Sequence, residues 1–204
     1  MIKKNYLENL NNSKKPFIIY KSNKGFDLYT DFSKKIILTK NNIEGFINQC
    51  VKLKSKKKET DLFIGFFGYE VLNNLIGIKV KKQKGLKFPK GIFYKPETKQ
   101  KLPNKLNYKN LEIIRPNKLF KININKSSYK VIFNKFKKKI KSGETYQIKI
   151  CTKYSNKTQI DALDFFCRLV KSNMAPEAFM IKDKDYSIIS CSPENLINKK
   201  NDLI

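Results

Sequence analysis

Histidine and tryptophan are both missing from this sequence of 204 residues. Without an imidazole, neither a Ser-His-Asp nor a Cys-His catalytic unit can be assembled from the chain. The four cysteines are Cys50, Cys151, Cys167 and Cys191, and no two have Cys-x-x-Cys spacing. Zinc ligation finds no pattern here, and no metal ligand is assigned. Arginine is nearly absent, with only Arg115 and Arg168. Long apolar runs are lacking too. The longest, residues 62–69, is interrupted by Gly65 and Gly68, whereas a membrane helix needs roughly 20 apolar residues. The N-terminal MIKKNYLENLNN has no apolar stretch of the secretory-signal kind. These absences lead us to expect a soluble, cytoplasmic protein with reduced thiols. Cys151 and Cys191 lie in strand-like apolar segments and are expected to be buried structural thiols.

What is abundant is lysine. Lys and Arg number 44 against 17 Asp and Glu, a net charge of +27, and 42 of the 44 are lysine. Such a charge invites a nucleic-acid reading. Arginine, however, is the residue suited to bidentate phosphate and base contacts. The richness in Lys, Asn and Ile matches codon bias in an AT-rich genome, so the lysines read mostly as a solvated face. Lys54–Lys58 reads as a loop, and Lys135–Lys141 as the outer face of a helix. Hydrophobic residues make up 40%, enough for a core in one domain or one large lobe.

Periodicity places the elements. Short strands are expected at Phe17–Tyr20, Ile36–Leu38, Leu62–Phe67 and Gly91–Tyr94, with a helix over Asn42–Leu53. Residues 79–89 and 95–110 read as loop or connection. Ile122–Ile124 is expected to precede a helix over Ser128–Ser142, capped by Ser127 and ended by Gly143. Residues 146–154 alternate strictly and predict a strand. A helix follows over Gln159–Lys171 with Thr158 as its cap. Ala178–Ile181 and Tyr186–Ser190 flank Lys-Asp-Lys-Asp and predict a hairpin. Strands and helices mix without regular βαβ alternation, so the expected class is α+β.

Four segments in order carry a resemblance: FIGFFGYEVLNNL (63–75), SGETYQIKICTKYS (142–155), LVKSNMAPEAFMI (169–181) and YSIISCSPENLI (186–197). Together they resemble the chorismate-utilising component I enzymes, aminodeoxychorismate synthase component I and anthranilate synthase component I. The resemblance implies an antiparallel β-sandwich flanked by helices. It divides the chain into an N-terminal component I-like region, 1–110, and the start of a chorismate-binding domain, 120–204. It also implies chorismate as substrate, Mg²⁺ as cofactor and ammonia from a glutamine amidotransferase partner.

Residue by residue, Glu194 stands at the family's Ser-Pro-Glu glutamate. The resemblance makes it the general acid that protonates the leaving 4-hydroxyl, a role that suits a carboxyl because hydroxide leaves poorly. Gln147 stands where salicylate- and isochorismate-forming relatives carry a lysine base. An amide cannot take that proton but can orient a nucleophile, which points to the ammonia-using branch. Ala175 and Pro176 match the pair that lines the tryptophan site of some members, and Ser22 is a candidate contact there. The usual Asn-Pro-Ser-Pro-Tyr-Met is here Asn-Met-Ala-Pro-Glu-Ala, and no Leu-Glu-Ser precedes Ser22, so tryptophan inhibition is not expected. Gly65 and Gly68 read as architectural, and Tyr69 as core.

Family members continue past Ser-Pro-Glu into a Pro-Ile-(Lys/Ala)-Gly-Thr segment, metal-binding glutamates and an active-site histidine. These are not found here. The expectation is a fragment that is inactive alone, its sheets left with open edges and an uncovered apolar face. The Ala-Pro form, the short N-terminal region and Tyr146-Gln147 favour aminodeoxychorismate synthase over anthranilate synthase. A non-catalytic scaffold and a basic nucleic-acid-binding protein are the readings from other classes.

Overall fold

The computed structural model describes residues 6–51, 58–69, 71, 73, 76–78, 89–104, 106, 120–157 and 160–192. The elements are α1 (Tyr6–Asn12), β1 (Phe17–Ser22), β2 (Gly25–Ile37), α2 (Ile43–Val51), β3 (Ile64–Phe67), β4 (Gly91–Leu102), β5 (Lys121–Ile122), α3 (Lys126–Lys141), β6 (Tyr154–Ser155), α4 (Ala162–Asn173), β7 (Glu177–Lys182) and β8 (Ser187–Ser192). Two compact units emerge, Met1–Lys109 with Asp161–Ile204, and Asn110–Ile160. This grouping differs from the 1–110 and 120–204 division, because α4, β7 and β8 pack with the N-terminal strands.

In the first unit, β3-β4-β2-β1-β7-β8 form one antiparallel sheet. With its helices this makes an α+β fold. The strand β1 lies in mid-sheet because Phe17, Ile18 and Ile19 are apolar on both faces and fully buried. One face packs Phe17, Ile19, Leu28 and Met180 against Leu163 and Phe166 of α4. Fully burying those two helix side chains contributes about 1.5–3 kcal/mol each. The other face gathers Ile18, Tyr29, Ile92, Tyr94 and Ile181. Helix α2 covers one end of the sheet, where Phe46 meets the rings of Phe63 and Phe93.

Two strands run further than their sequence suggests. The long β2 takes in residues 25–35, and β4 continues through 95–102, a stretch that reads as a connection by pattern alone. The ladder shifts register between Phe32 and Lys34, the mark of a β-bulge. Pro96 is accommodated opposite Phe32 because β3 pairs with β4 only over Gly91–Tyr94, so no neighbour there needs its missing N–H. Just before the bulge, Asp31 adopts φ 51°. That left-handed conformation costs about 1–2 kcal/mol for a residue with a Cβ, though Asp tolerates it better than most.

The predicted hairpin is present as β7 and β8, paired from Glu177↔Ser192 to Lys182↔Ser187. Its turn is fastened across the sheet. Tyr94 of β4 and Tyr186 donate hydroxyl hydrogen bonds to the Asp183 carboxylate, and Lys35 of β2 pairs with it. Gly65 and Gly68 are architectural, through close approach. A Cβ at Gly65 would lie 1.9 Å from the Ile92 carbonyl oxygen, and one at Gly68 1.8 Å from that of Lys90. Tyr69, expected in the core, is instead 75% exposed while Val71 is buried. Both lie in helical backbone, where positions two apart face nearly opposite sides.

In the second unit, β5 and β6 pair over two residues and α3 runs through the expected helix. Its cap is Asn125 rather than Ser127. Asn125 accepts a hydrogen bond from the Ser128 N–H at 2.8 Å, and Ser127 donates its hydroxyl to the same oxygen. Gly143, at φ 75°, follows the helix end. The strand expected over 146–154 is not formed, since only Tyr154–Ser155 pairs. Cys151 is accordingly exposed rather than a buried thiol. The cap of α4 is Asp161, which accepts from the Asp164 N–H, whereas Thr158 lies outside the described residues. Among the described residues no helix is long and apolar enough to cross a membrane.

Candidate functional site

Ser22 ends β1, and Ala175 and Pro176 lead into β7, the strand that pairs with β1. Helix α4 stops at Met174, whose φ of 51° is left-handed and whose N–H donates to the Val170 carbonyl. The chain then passes through buried Ala175 and exposed Pro176 into β7. Register sets Lys21 opposite Ala178, and the Lys21 ammonium donates to the Ala175 and Pro176 carbonyls. Ser22 closes β1 opposite Gly25, and its hydroxyl oxygen accepts from the Lys24 N–H. Gly25, just after the Asn23-Lys24 turn, has φ 101°, a backbone conformation that glycine adopts without a Cβ clash.

Alternation then puts Tyr20 on the same face as Ser22, beside a cavity of about 300 Å³. Its walls are apolar, with Ile18, Ile64, Phe179 and Ile181, and Gly65 lies at its edge. Two phenols enter it, Tyr20 and Tyr29. Burial pushes the Tyr20 hydroxyl up to about 12, helped by its hydrogen bond to Glu177 and the nearby carboxylates. Burial likewise pushes Tyr29 up to about 12, with the Asp27 and Glu59 charges adding to the effect. Both phenols therefore stay protonated at neutral pH and serve as hydrogen-bond donors. Asp27 is buried and held by Lys101 at 2.6 Å and Lys99 at 3.5 Å, and Lys99 also reaches Glu59 at 3.3 Å. Apolar walls with a few polar groups are the usual make-up of a small-molecule pocket. None of Tyr20, Asp27, Tyr29, Lys99 or Glu177 stands out in the sequence. The signal is present in the alternation of Phe26 to Thr30, but which residues share a face with Tyr20 depends on pairing across strands.

Of the two expected catalytic residues, only Gln147 is among the described residues. Gln147 lies in the second unit, exposed and outside any strand, with its main-chain carbonyl accepting from the Thr145 hydroxyl at 3.1 Å. Glu194 lies outside the described residues. The described residues do not supply a magnesium site either, because no three His, Cys, Asp or Glu side chains converge among them.

In comparisons with protein families, residues 6–204 match the family described as chorismate binding enzyme. A search of curated proteins gives no match.

Proposed function

Since the chain belongs to the chorismate-binding enzyme family, we propose that it carries the component I chemistry of an aminodeoxychorismate synthase. Membership of that family makes it a chorismate-utilising enzyme, and the match over residues 6–204 is the observation that carries the reading. The proposed reaction replaces the 4-hydroxyl of chorismate by an amino group, giving 4-amino-4-deoxychorismate. Glu194 is the proposed general acid for the departing hydroxyl, which needs a proton because hydroxide is a poor leaving group. Gln147 is proposed to orient ammonia. An amide offers both an acceptor and donors but no basicity, so it aligns a neutral nucleophile and does not deprotonate water. Ammonia is proposed to come from a glutamine amidotransferase subunit, with Mg²⁺ as the cofactor of the complete family enzyme, whose metal-binding glutamates are not found in this sequence. The reading is supported by the residues Tyr146-Gln147 and Ala175-Pro176.

Anthranilate synthase component I is the second reading, favoured by the same Gln147, since both branches use ammonia. Product analysis separates them. Supplied in trans with a family segment that carries the metal-binding glutamates and the histidine, the chain is expected to convert chorismate, Mg²⁺ and an ammonium salt into 4-amino-4-deoxychorismate, seen by chromatography, and to form no product without that segment. Fluorescent anthranilate as the product would move the assignment to the second branch. For either product, Glu194→Gln should lower turnover by about 10²–10⁴-fold. Equal turnover by wild type and Glu194→Gln would remove that residue from the mechanism.

A further inference from the structure

A second cavity, of about 470 Å³, opens between α1 with the turn after it and the bulged part of β2. Its walls combine three apolar side chains, Tyr6, Leu10 and Phe32, with two opposite charges, Asp31 and Lys15. The carboxylate is held in place rather than free to swing. Asp31 Oδ2 accepts hydrogen bonds from the hydroxyls of Thr30 and Thr98, each at 3.0 Å. Its backbone is in the left-handed region, which aims the side chain away from the ordinary strand direction. Asp31 and Lys15 line one cavity yet do not pair with each other, and among the described residues neither joins an ion pair. In a chain of net charge +27, a carboxylate held by hydroxyls and left without a lysine is a receptor for a cation. A lysine on the same cavity is a receptor for an anion.

We propose that this cavity binds a small zwitterion, a free α-amino acid with an apolar side chain. Its ammonium sits on Asp31, its carboxylate on Lys15, and its side chain between Tyr6, Leu10 and Phe32. Both charged groups are exposed at the mouth, so solvent screens them and the affinity is weak, in the millimolar range. The site is separate from the cavity of Tyr20 and Tyr29, and the proposal does not depend on the chorismate reading.

The test is a nuclear magnetic resonance titration of the full chain with L-leucine, alongside two analogues. Isoamylamine keeps the ammonium and lacks the carboxylate, and 4-methylpentanoate has the reverse. Leucine is expected to bind about tenfold tighter than either analogue, the scale of one charged hydrogen bond. Shifts are expected at residues 6–16 and 30–32. Asp31→Asn keeps the left-handed preference and an oxygen that accepts from the Thr30 and Thr98 hydroxyls, so the melting temperature should not change. It should abolish the preference for leucine over 4-methylpentanoate. Lys15→Gln should abolish the preference for leucine over isoamylamine. No binding of leucine, equal binding of all three compounds, shifts centred on Tyr20 and Tyr29, or unchanged preferences in the two variants would each overturn the proposal.

Discussion

Removing the Asp183 carboxylate should loosen the sheet by an amount the structure lets us work out. Asp183 is 7% exposed and Tyr94 is 1% exposed. In Asp183→Ala the Tyr94 hydroxyl loses its charged acceptor and keeps only Tyr186, 3.4 Å away. A hydrogen bond to a charged group contributes about 1.5–3 kcal/mol. Lys35 is 44% exposed on its side chain and regains water, so losing the ion pair adds little. The expected cost is about 3 kcal/mol for alanine and about 1–2 kcal/mol for asparagine, which still offers an oxygen. Tyr94→Phe should fall near asparagine. Urea unfolding measures all three. The pH dependence has a definite sign. Burial pushes the Asp183 carboxyl up, but Lys35, Tyr94 and the Lys184 N–H outweigh it and hold the carboxyl below its ordinary value. A group depressed on folding contributes stability above its unfolded value, about 3.9, and loses it as pH falls from there through the folded value. The gap between wild type and Asp183→Asn should therefore be full at neutral pH and shrink in acid. An Asp183→Ala cost under about 0.5 kcal/mol, the size of an ordinary surface change, would refute the reasoning, as would a gap that persists in acid.

Gly65→Ala should destabilise by about 3 kcal/mol, because its Cβ would meet the Ile92 backbone at 1.9 Å and the β3–β4 ladder would have to part. Chemical denaturation checks it, and a neutral outcome would mean the ladder is looser than described. Tyrosinate absorbance should show Tyr20 and Tyr29 still protonated at pH 10, ionising only near 12, and Tyr20→Phe and Tyr29→Phe should each remove one such component. Both groups are raised on folding, so the stability they contribute is complete below about pH 10 and is lost as pH climbs through 12. If the lysines form a solvated face, duplex DNA should bind weakly at physiological salt and without sequence preference, as electrophoretic shift would reveal, whereas tight binding with a steep salt slope of several phosphates would favour the nucleic-acid reading.

How far the sequence foretold this architecture depends on what each pattern encodes. Residues 178–190 announced a hairpin because apolar alternation flanked a Lys-Asp-Lys-Asp turn, and both strands formed in register. The helix α4 was readable from its 3.6-residue spacing, but its cap was not, since Asp161 stands among several capping residue types. Most of β2 was missed for a different reason. Residues 26–30 are buried on both faces, so burial there does not follow the polar-apolar alternation, and the bulge then shifts its phase. In β4 the run Pro-Glu-Thr-Lys-Gln-Lys looks like a loop, yet it pairs with β2 on one side only. The alternation of residues 146–154 is real, but alternation predicts two unlike faces and does not supply a partner strand. Motif resemblance singled out Ser22, Ala175 and Pro176, and in the structure the segments that hold them adjoin through Lys21, which donates to the Ala175 carbonyl and pairs opposite Ala178. The tyrosines and carboxylates around its cavity needed the register of three strands before they could be seen as one group.

The most direct measurement is calorimetric titration of the full chain with chorismate, with prephenate as the control. The account predicts saturable chorismate binding in preference to prephenate, and a weaker response in Glu194→Gln. A flat titration, or equal binding of the two compounds, would contradict the claim that this chain is a chorismate-utilising protein.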